Sequence, residues 1–279
     1  MTFSIVARSG QSYGVAVASK FLAVGSVVPS VSPYGAVATQ AWARTAYKEE
    51  LQELLAAGVD PQDALRRATE ADERSAVRQV GVVGSGGAAT FTGSEAMAWC
   101  GGRRGQQGDE AYAIQGNILV GEQVVAEMER AWLEGSGAPF EQRLVQALVA
   151  GDRAGGDRRG RQSAAILAHS PGTGYDDSGV LADLRVDDHA DPVTELARLL
   201  DLQDLYLGRP GPILPLEGEL ATEVRERLAA AGHATPDLHE ALADWAGAEN
   251  LEMRLTSEGI DTRVLEVLRD STAGGAATG

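Results

Sequence analysis

Met1-Thr2-Phe3-Ser4-Ile5-Val6-Ala7-Arg8 opens the chain and decides how the rest is read. Phe3, Ile5 and Val6 favour extended backbone, and small or polar Ser4 and Ala7 lie between them, so a strand begins almost at the terminus. Ser9-Gly10-Gln11-Ser12 is a turn, and Tyr13-Gly14-Val15-Ala16-Val17-Ala18 returns as a second strand, making a hairpin. If Met1 is trimmed, which a small second residue permits, Thr2 becomes terminal. It then carries a hydroxyl next to a free α-amine whose pKa is about 8, a nucleophile with its own general base. The other reading of Thr2 is a frayed end with no role.

A small-residue loop, residues 24–29, leads from this hairpin to a third strand over 35–40. Leucines at 51, 54 and 55 mark a helix that ends at Gly58. Asp60-Pro61 starts a second helix as cap and first helical residue. Residues 77–83 and 88–92 form another hairpin, followed by a loop over 101–108 with Arg103 and Arg104. A short strand follows at 112–117, then helices at 121–134 and 139–150. A polar loop, 155–163, precedes strands at 164–168 and 180–186 and a helix to about residue 202. Strands and helices come in blocks and do not alternate. This predicts an α+β fold of antiparallel sheets covered by helix pairs, a four-layer αββα sandwich, and not a doubly wound parallel sheet. Beyond a linker at 208–212 come three helical stretches. The expected organisation is a sandwich domain over 1–205, a small helical domain over 206–270 and a flexible tail over 271–279.

The 279 residues are 44% apolar and carry a net charge of −16. Nucleic acid and anionic membrane are not expected partners, because phosphates would be repelled. Cys100 is the only cysteine, so neither an intrachain disulfide nor a Cys-rich zinc site is expected. No leader and no bilayer-spanning run is read, which predicts a cytoplasmic protein acting on a small molecule without a cofactor. A homo-oligomer is compatible with the sequence.

Several groups could carry chemistry. Ser4 is a rival nucleophile on the same strand face as Thr2, without an α-amine of its own. Lys20, at the end of the strand paired with the first, could lower the pKa of a terminal ammonium at Thr2, or be a surface lysine. Gln40 and Gln115-Gly116-Asn117 could supply donors, Asn117 to an oxyanion and Gln40 to a substrate, or be structural amides. Gly155-Gly156-Asp157-Arg158-Arg159-Gly160-Arg161-Gln162-Ser163 could use Arg158 or Arg161 to bind a substrate carboxylate. An Arg–Asp network with Asp157, Asp183 or Asp187 accounts for it equally well. Asp187-Asp188-His189 suggests helix capping more than a metal site, since contiguous residues do not converge on one ion.

The opening strand, Gly14-Val15-Ala16-Val17-Ala18-Ser19-Lys20-Phe21, Gly35-Ala36-Val37-Ala38-Thr39-Gln40, Gln115-Gly116-Asn117, the 156–163 loop and Leu184-Arg185-Val186-Asp187-Asp188-His189 resemble the domain of unknown function 1028 family. The match covers about residues 2–205. That family is similar to the N-terminal nucleophile (Ntn) hydrolases, which implies the αββα sandwich and an amide or other C–N bond hydrolase with Thr2 as nucleophile. In the proteasome-type branch a threonine also opens the first strand, but a lysine ends the third. Here that region reads Ser30-Val31-Ser32-Pro33-Tyr34. Only Met1 precedes Thr2, so no autoproteolytic propeptide is expected. Residues 214–219 and 245–251 resemble a peptidoglycan-binding-like segment. That similarity implies the alternative function, a non-enzymatic scaffold with a ligand- or peptidoglycan-binding module.

Overall fold

The structure, a computed structural model, describes residues 2–96 and 98–273. Met1, whose trimming the reading of Thr2 as a terminal residue assumes, and residues 274–279 of the expected tail lie outside the described residues. The fold is mixed α and β with antiparallel sheets. The chain divides into two compact units, residues 1–200 and 201–279.

In the larger unit, β1 (Thr2–Ser9) and β2 (Ser12–Ser19) form the opening hairpin, with Phe3 opposite Ala18. Gly10 turns it at φ 59°, a left-handed value that suits glycine. α1 (Val24–Val27), β3 (Pro29–Ser32) and β4 (Gly35–Ala41) follow, then α2 (Ala46–Ala56) and α3 (Pro61–Glu70). Asp60 caps α3 by accepting from Gln62 N, with Pro61 at the first helical position. β5 (Arg78–Gly84), β6 (Gly87–Thr92), β7 (Trp99–Gln107) and β8 (Glu110–Leu119) come next. α4 (Gln123–Glu134), α5 (Phe140–Arg153), β9 (Ser163–His169), β10 (Val180–Val186) and α6 (Pro192–Leu207) complete the series.

One sheet has the order β10-β9-β2-β1-β8-β7 and the other β3-β4-β5-β6. Alternation along β1, β4 and β5 separates three cores. Phe3, Ile5 and Ala7 pack beneath α4, α5 and α6, with Met128, Trp132 and Leu148. Val6, on the other face, meets Ala36, Ala38 and Val83 of the smaller sheet. Val37, Val80 and Val82 point away from that contact to Tyr47, Leu51 and Leu65 of α2 and α3. The sheets therefore face each other, with helices over both outer faces. Close approach demands small residues. A Cβ on Gly81 of β5 would lie 2.1 Å from Gln115 Oε1 of β8.

The expected loop over 24–29 holds the short helix α1, and residues 29–32, for the most part left unassigned by the sequence, pair with β4 as β3. The expected loop over 101–108 falls largely in the edge strand β7, which pairs with β8. Glycine disfavours strands, which hid β7, but here the glycines make room for neighbours. A Cβ on Gly105 would sit 2.4 Å from Tyr112 Oη.

Asp72 ties the helices to β5. It accepts from Tyr47 Oη at 2.8 Å, Arg78 Nε at 2.9 Å and Arg74 N at 3.0 Å. Burial pushes its pKa up, but these donors and the Arg78 charge outweigh burial and hold it at about 2. A depressed folded-state pKa contributes stability that is complete above the unfolded value, about 4, and is lost as pH falls through about 2. Thermal unfolding of Asp72→Asn is therefore expected to lie below that of the parent at neutral pH, with the gap closing towards pH 2.

In the smaller unit, β11 (Ile213–Leu214) pairs with β12 (Ile260–Asp261). α7 (Gly218–Ala230), α8 (Leu238–Ala248) and α9 (Thr262–Ala273) enclose Val224, Leu242, Trp245 and Leu265. α9 reaches Ala273, so residues 271–273, expected in the tail, are helical. Buried Arg254 donates to Leu205 O at 2.8 Å and to Asp261 Oδ2 at 3.1 Å. No described helix is long and apolar enough to cross a membrane.

Candidate active site

Antiparallel pairing brings the start of β1 to the ends of β2 and β8. Thr2 lies opposite Asn117 on β8, and Ser19 lies one residue beyond Ala18, the partner of Phe3. Thr2 retains 6% of its surface. Its Oγ1 is 3.1 Å from Ser19 Oγ, and either hydroxyl can be the donor.

Behind Thr2, where the sheets face each other, lies a closed network of amides. Gln40 Nε2 donates to Thr2 O at 3.3 Å and to Gln79 Oε1 at 2.8 Å. Asn117 Nδ2 donates to the same Gln79 oxygen at 2.9 Å. Gln79 Nε2 donates to Gly116 O at 2.8 Å and Thr92 Oγ1 at 2.9 Å. Ser4 Oγ donates to Gln40 Oε1 at 2.7 Å and accepts from Gln115 Nε2 at 2.6 Å. Ser4, Gln40, Gln79, Gln115 and Asn117 are all buried. Ser4 thus faces inward and is committed to two amides. Gln40 has both ends engaged inside the protein, so it holds the Thr2 carbonyl in place and its amide is not turned to a ligand.

The strands end here in strained backbone. Ala41, after Gln40, has φ 66°, and Ile118, after Asn117, has φ 52°, a costly value for a β-branched residue. The turn at Ile118 meets the 155–163 loop. Arg158 N donates to Ile118 O at 3.4 Å, and Val120 N donates to Gly156 O at 3.3 Å. Asp157 is thereby buried beside the site, where it accepts from Lys20 N and Arg159 N, each at 2.8 Å. Gln162 N donates to Ser19 O at 3.1 Å. Gly156, at φ 51°, lets the loop press on Phe3, since a Cβ there would lie 3.1 Å from Phe3 Cε1.

The remaining cations lie on the rim. Lys20 is exposed, and its Nζ donates to Arg161 O at 3.1 Å. Arg161 grips Asp152 with two hydrogen bonds, Nε to Oδ1 at 2.7 Å and Nη2 to Oδ2 at 2.8 Å. This raises its already high pKa. Arg159 pairs with Asp157, one of the carboxylates expected for the loop, whereas Asp152, the partner of Arg161, was not among those expected. The guanidinium of Arg158 is exposed. A cavity of about 170 Å³ lies among Phe3, Ser19, Asp152, Asp157, Arg161 and Val193. Among the described residues no group of three or more His, Cys, Asp or Glu converges to hold a metal. His189 Nδ1 instead accepts from Asp191 N at 3.0 Å, just before α6.

The structure thus joins Thr2, Gln40 and Asn117 in one network and sets Lys20, Arg158 and Arg161 around it. Sequence reasoning missed Gln79. Its signal was a polar side chain opening the apolar strand Val80-Gly81-Val82-Val83. Ser19 and Asp157 stood inside quoted motifs, but nothing local shows that Ser19 reaches the Thr2 hydroxyl or that Asp157 accepts from Lys20 N.

No curated protein matches the chain. The crystal structure of protein SPO2555 from Silicibacter pomeroyi, described as DUF1028, is similar at 30% identity and a TM-score of 0.63, covering 80% of this chain and 92% of that one. Residues 207–268 match the family model described as "Putative peptidoglycan binding domain". Residues 2–196 match the model described as "Family of unknown function (DUF1028)", and the chain belongs to that family.

Proposed function

We propose that the larger unit is an amide or C–N bond hydrolase of the Ntn type, with its facing sheets and outer helices as the αββα sandwich. The observation that carries this reading is the place of Thr2. It opens a central strand, is held through its carbonyl by Gln40, and has its hydroxyl 3.1 Å from Ser19. Once Met1 is removed, the Thr2 hydroxyl attacks the substrate carbonyl carbon while the α-amine takes its proton. The C–N bond breaks, and the proton passes to the departing amine. Water then cleaves the Thr2 ester, releasing the acid and restoring the hydroxyl. Asn117 or nearby backbone N–H groups stabilise the oxyanion. Lys20 tunes the amine from the rim. Arg158 suits a substrate carboxylate better than Arg161, whose fork is occupied by Asp152.

Intact mass tests this directly. The active protein should lack Met1, and a hydroxyl-directed acylating probe should add one label, mapped to Thr2. Retention of Met1 in protein that still turns over substrate would rule the mechanism out.

A second reading has its own support in the match of residues 207–268. Here the smaller unit binds peptidoglycan, and the larger is a scaffold without activity. The full chain should then sediment with insoluble peptidoglycan, and Thr2 should resist the probe.

A further inference from the structure

The two sheets are unequal, with six strands against four. β9 meets β3, the edge of the smaller sheet, and α1 packs on β9, while β10 lies one strand further out. Along β10, Ala182 and Leu184 pack towards the helices, so Asp183 and Arg185 turn the other way. They and the inward side chains of β9 wall a cavity of about 270 Å³ with α1, Pro29 and Lys48 of α2.

Lys48 is one of only two lysines in the chain. Its Nζ makes only long bonds to carbonyls, to Val27 O at 3.3 Å and Ser26 O at 3.4 Å. Burial lowers its pKa. Arg185 approaches the same short helix from the opposite wall, since a Cβ on Gly25 would lie 2.7 Å from Arg185 Cδ. The link from Arg185 Nε to Asp187 is loose, at 3.7 Å. Two cations thus meet at α1 with one carboxylate, Asp183, beside them, and Pro29, Ala165 and Leu167 form an apolar wall. In a protein with a net charge of −16, two cations that line one cavity are set apart from the general surface.

We propose that this cavity binds a free α-amino acid with an aliphatic side chain. The carboxylate lies between Lys48 and Arg185, the ammonium faces Asp183, and the side chain rests on Pro29, Ala165 and Leu167. The carboxylate answers the two cations, the ammonium answers Asp183, and a short apolar body suits the apolar wall, so the charges complement the lining in sign. The inference does not rest on Thr2 chemistry.

Calorimetric titration of the full chain with L-leucine tests it. Saturable one-to-one binding is expected with a Kd of about 1 mM or tighter. Leucinamide, which lacks the carboxylate, and 4-methylpentanoate, which lacks the amine, should each bind at least about tenfold more weakly, a loss of about 1.4 kcal/mol. Lys48→Met should weaken leucine by a similar factor. Arg185→Gln, at an exposed position, should do so too, even if Lys48→Met fails to fold. Thr2→Ala should bind leucine like the parent, which separates this site from the proposed catalytic one. Absence of saturable heat, equal binding of leucine and leucinamide, or undiminished binding by folded variants would each overturn the proposal.

Discussion

Replacing Gln79 with leucine is expected to destabilise the larger unit by about 3–5 kcal/mol, measured by urea unfolding. Gln79 Oε1 accepts from Gln40 Nε2 and Asn117 Nδ2, at 2.8 and 2.9 Å. Its Nε2 donates to Gly116 O, Thr92 Oγ1 and Gly101 O, at 2.8, 2.9 and 3.2 Å. Leucine fills much of the volume but removes the acceptor of Asn117 Nδ2 and one acceptor of Gln40 Nε2, and takes a donor from Gly116 O, Gly101 O and Thr92 Oγ1. Each orphaned group costs about 1–3 kcal/mol. Added apolar burial returns part of this, which keeps the expectation below the sum. A smaller set of bonds explains the contrast with Gln62 on α3, whose Oε1 accepts from exposed Arg104 at 3.1 Å. There water can replace the partner, and Gln62→Leu should change stability by under about 0.5 kcal/mol. A Gln79→Leu cost equally small would mean that the amides do not act as one network.

This network shows where the fold was legible and where it was not. The β1–β2 hairpin, the Asp60-Pro61 helix start and the leucine stripe of α2 are local signals, and each formed as such. β7 and β3 owe their extended state to neighbours. Gly101, Gly102 and Gly105 of β7 make it look like a loop, and only Thr90 on β6 of the facing sheet and Tyr112 on the paired strand β8 show why side chains are excluded at Gly102 and Gly105. Within the site, Thr2 and Asn117 were readable as candidates, and their register supplies the meeting. Gln79 lies far from both in sequence, so no local pattern links them. The arginine loop offered two readings that differ only in whether carboxylates are in reach. Asp152, on α5, was not among the partners weighed for Arg161, because the turn that folds the loop back on its helix depends on Gly155 and Gly156 at positive φ.

Thr2→Ala is expected to abolish labelling by the acylating probe and to cut turnover by about 10⁴-fold or more, while stability falls by only about 1 kcal/mol. The hydroxyl makes one described side-chain bond, to Ser19, and the alanine keeps the β1 pairing with Asn117. Thr2→Ser retains hydroxyl and amine and should keep labelling at a reduced rate. Ser4→Ala should behave in the opposite way. It removes the donor to Gln40 Oε1 and the acceptor of Gln115 Nε2 from a site that is fully buried, so about 2–3 kcal/mol of stability should be lost. Labelling should persist in the fraction that remains folded, because Ser4 Oγ is enclosed between the sheets and has no path to a substrate. Measuring labelling and urea midpoint on the same three variants keeps loss of chemistry distinct from loss of fold. If Ser4→Ala stops labelling with its midpoint unchanged, or Thr2→Ala still labels, the nucleophile has been misplaced and the hydroxyl pair at Thr2 and Ser19 is only a strand-end contact.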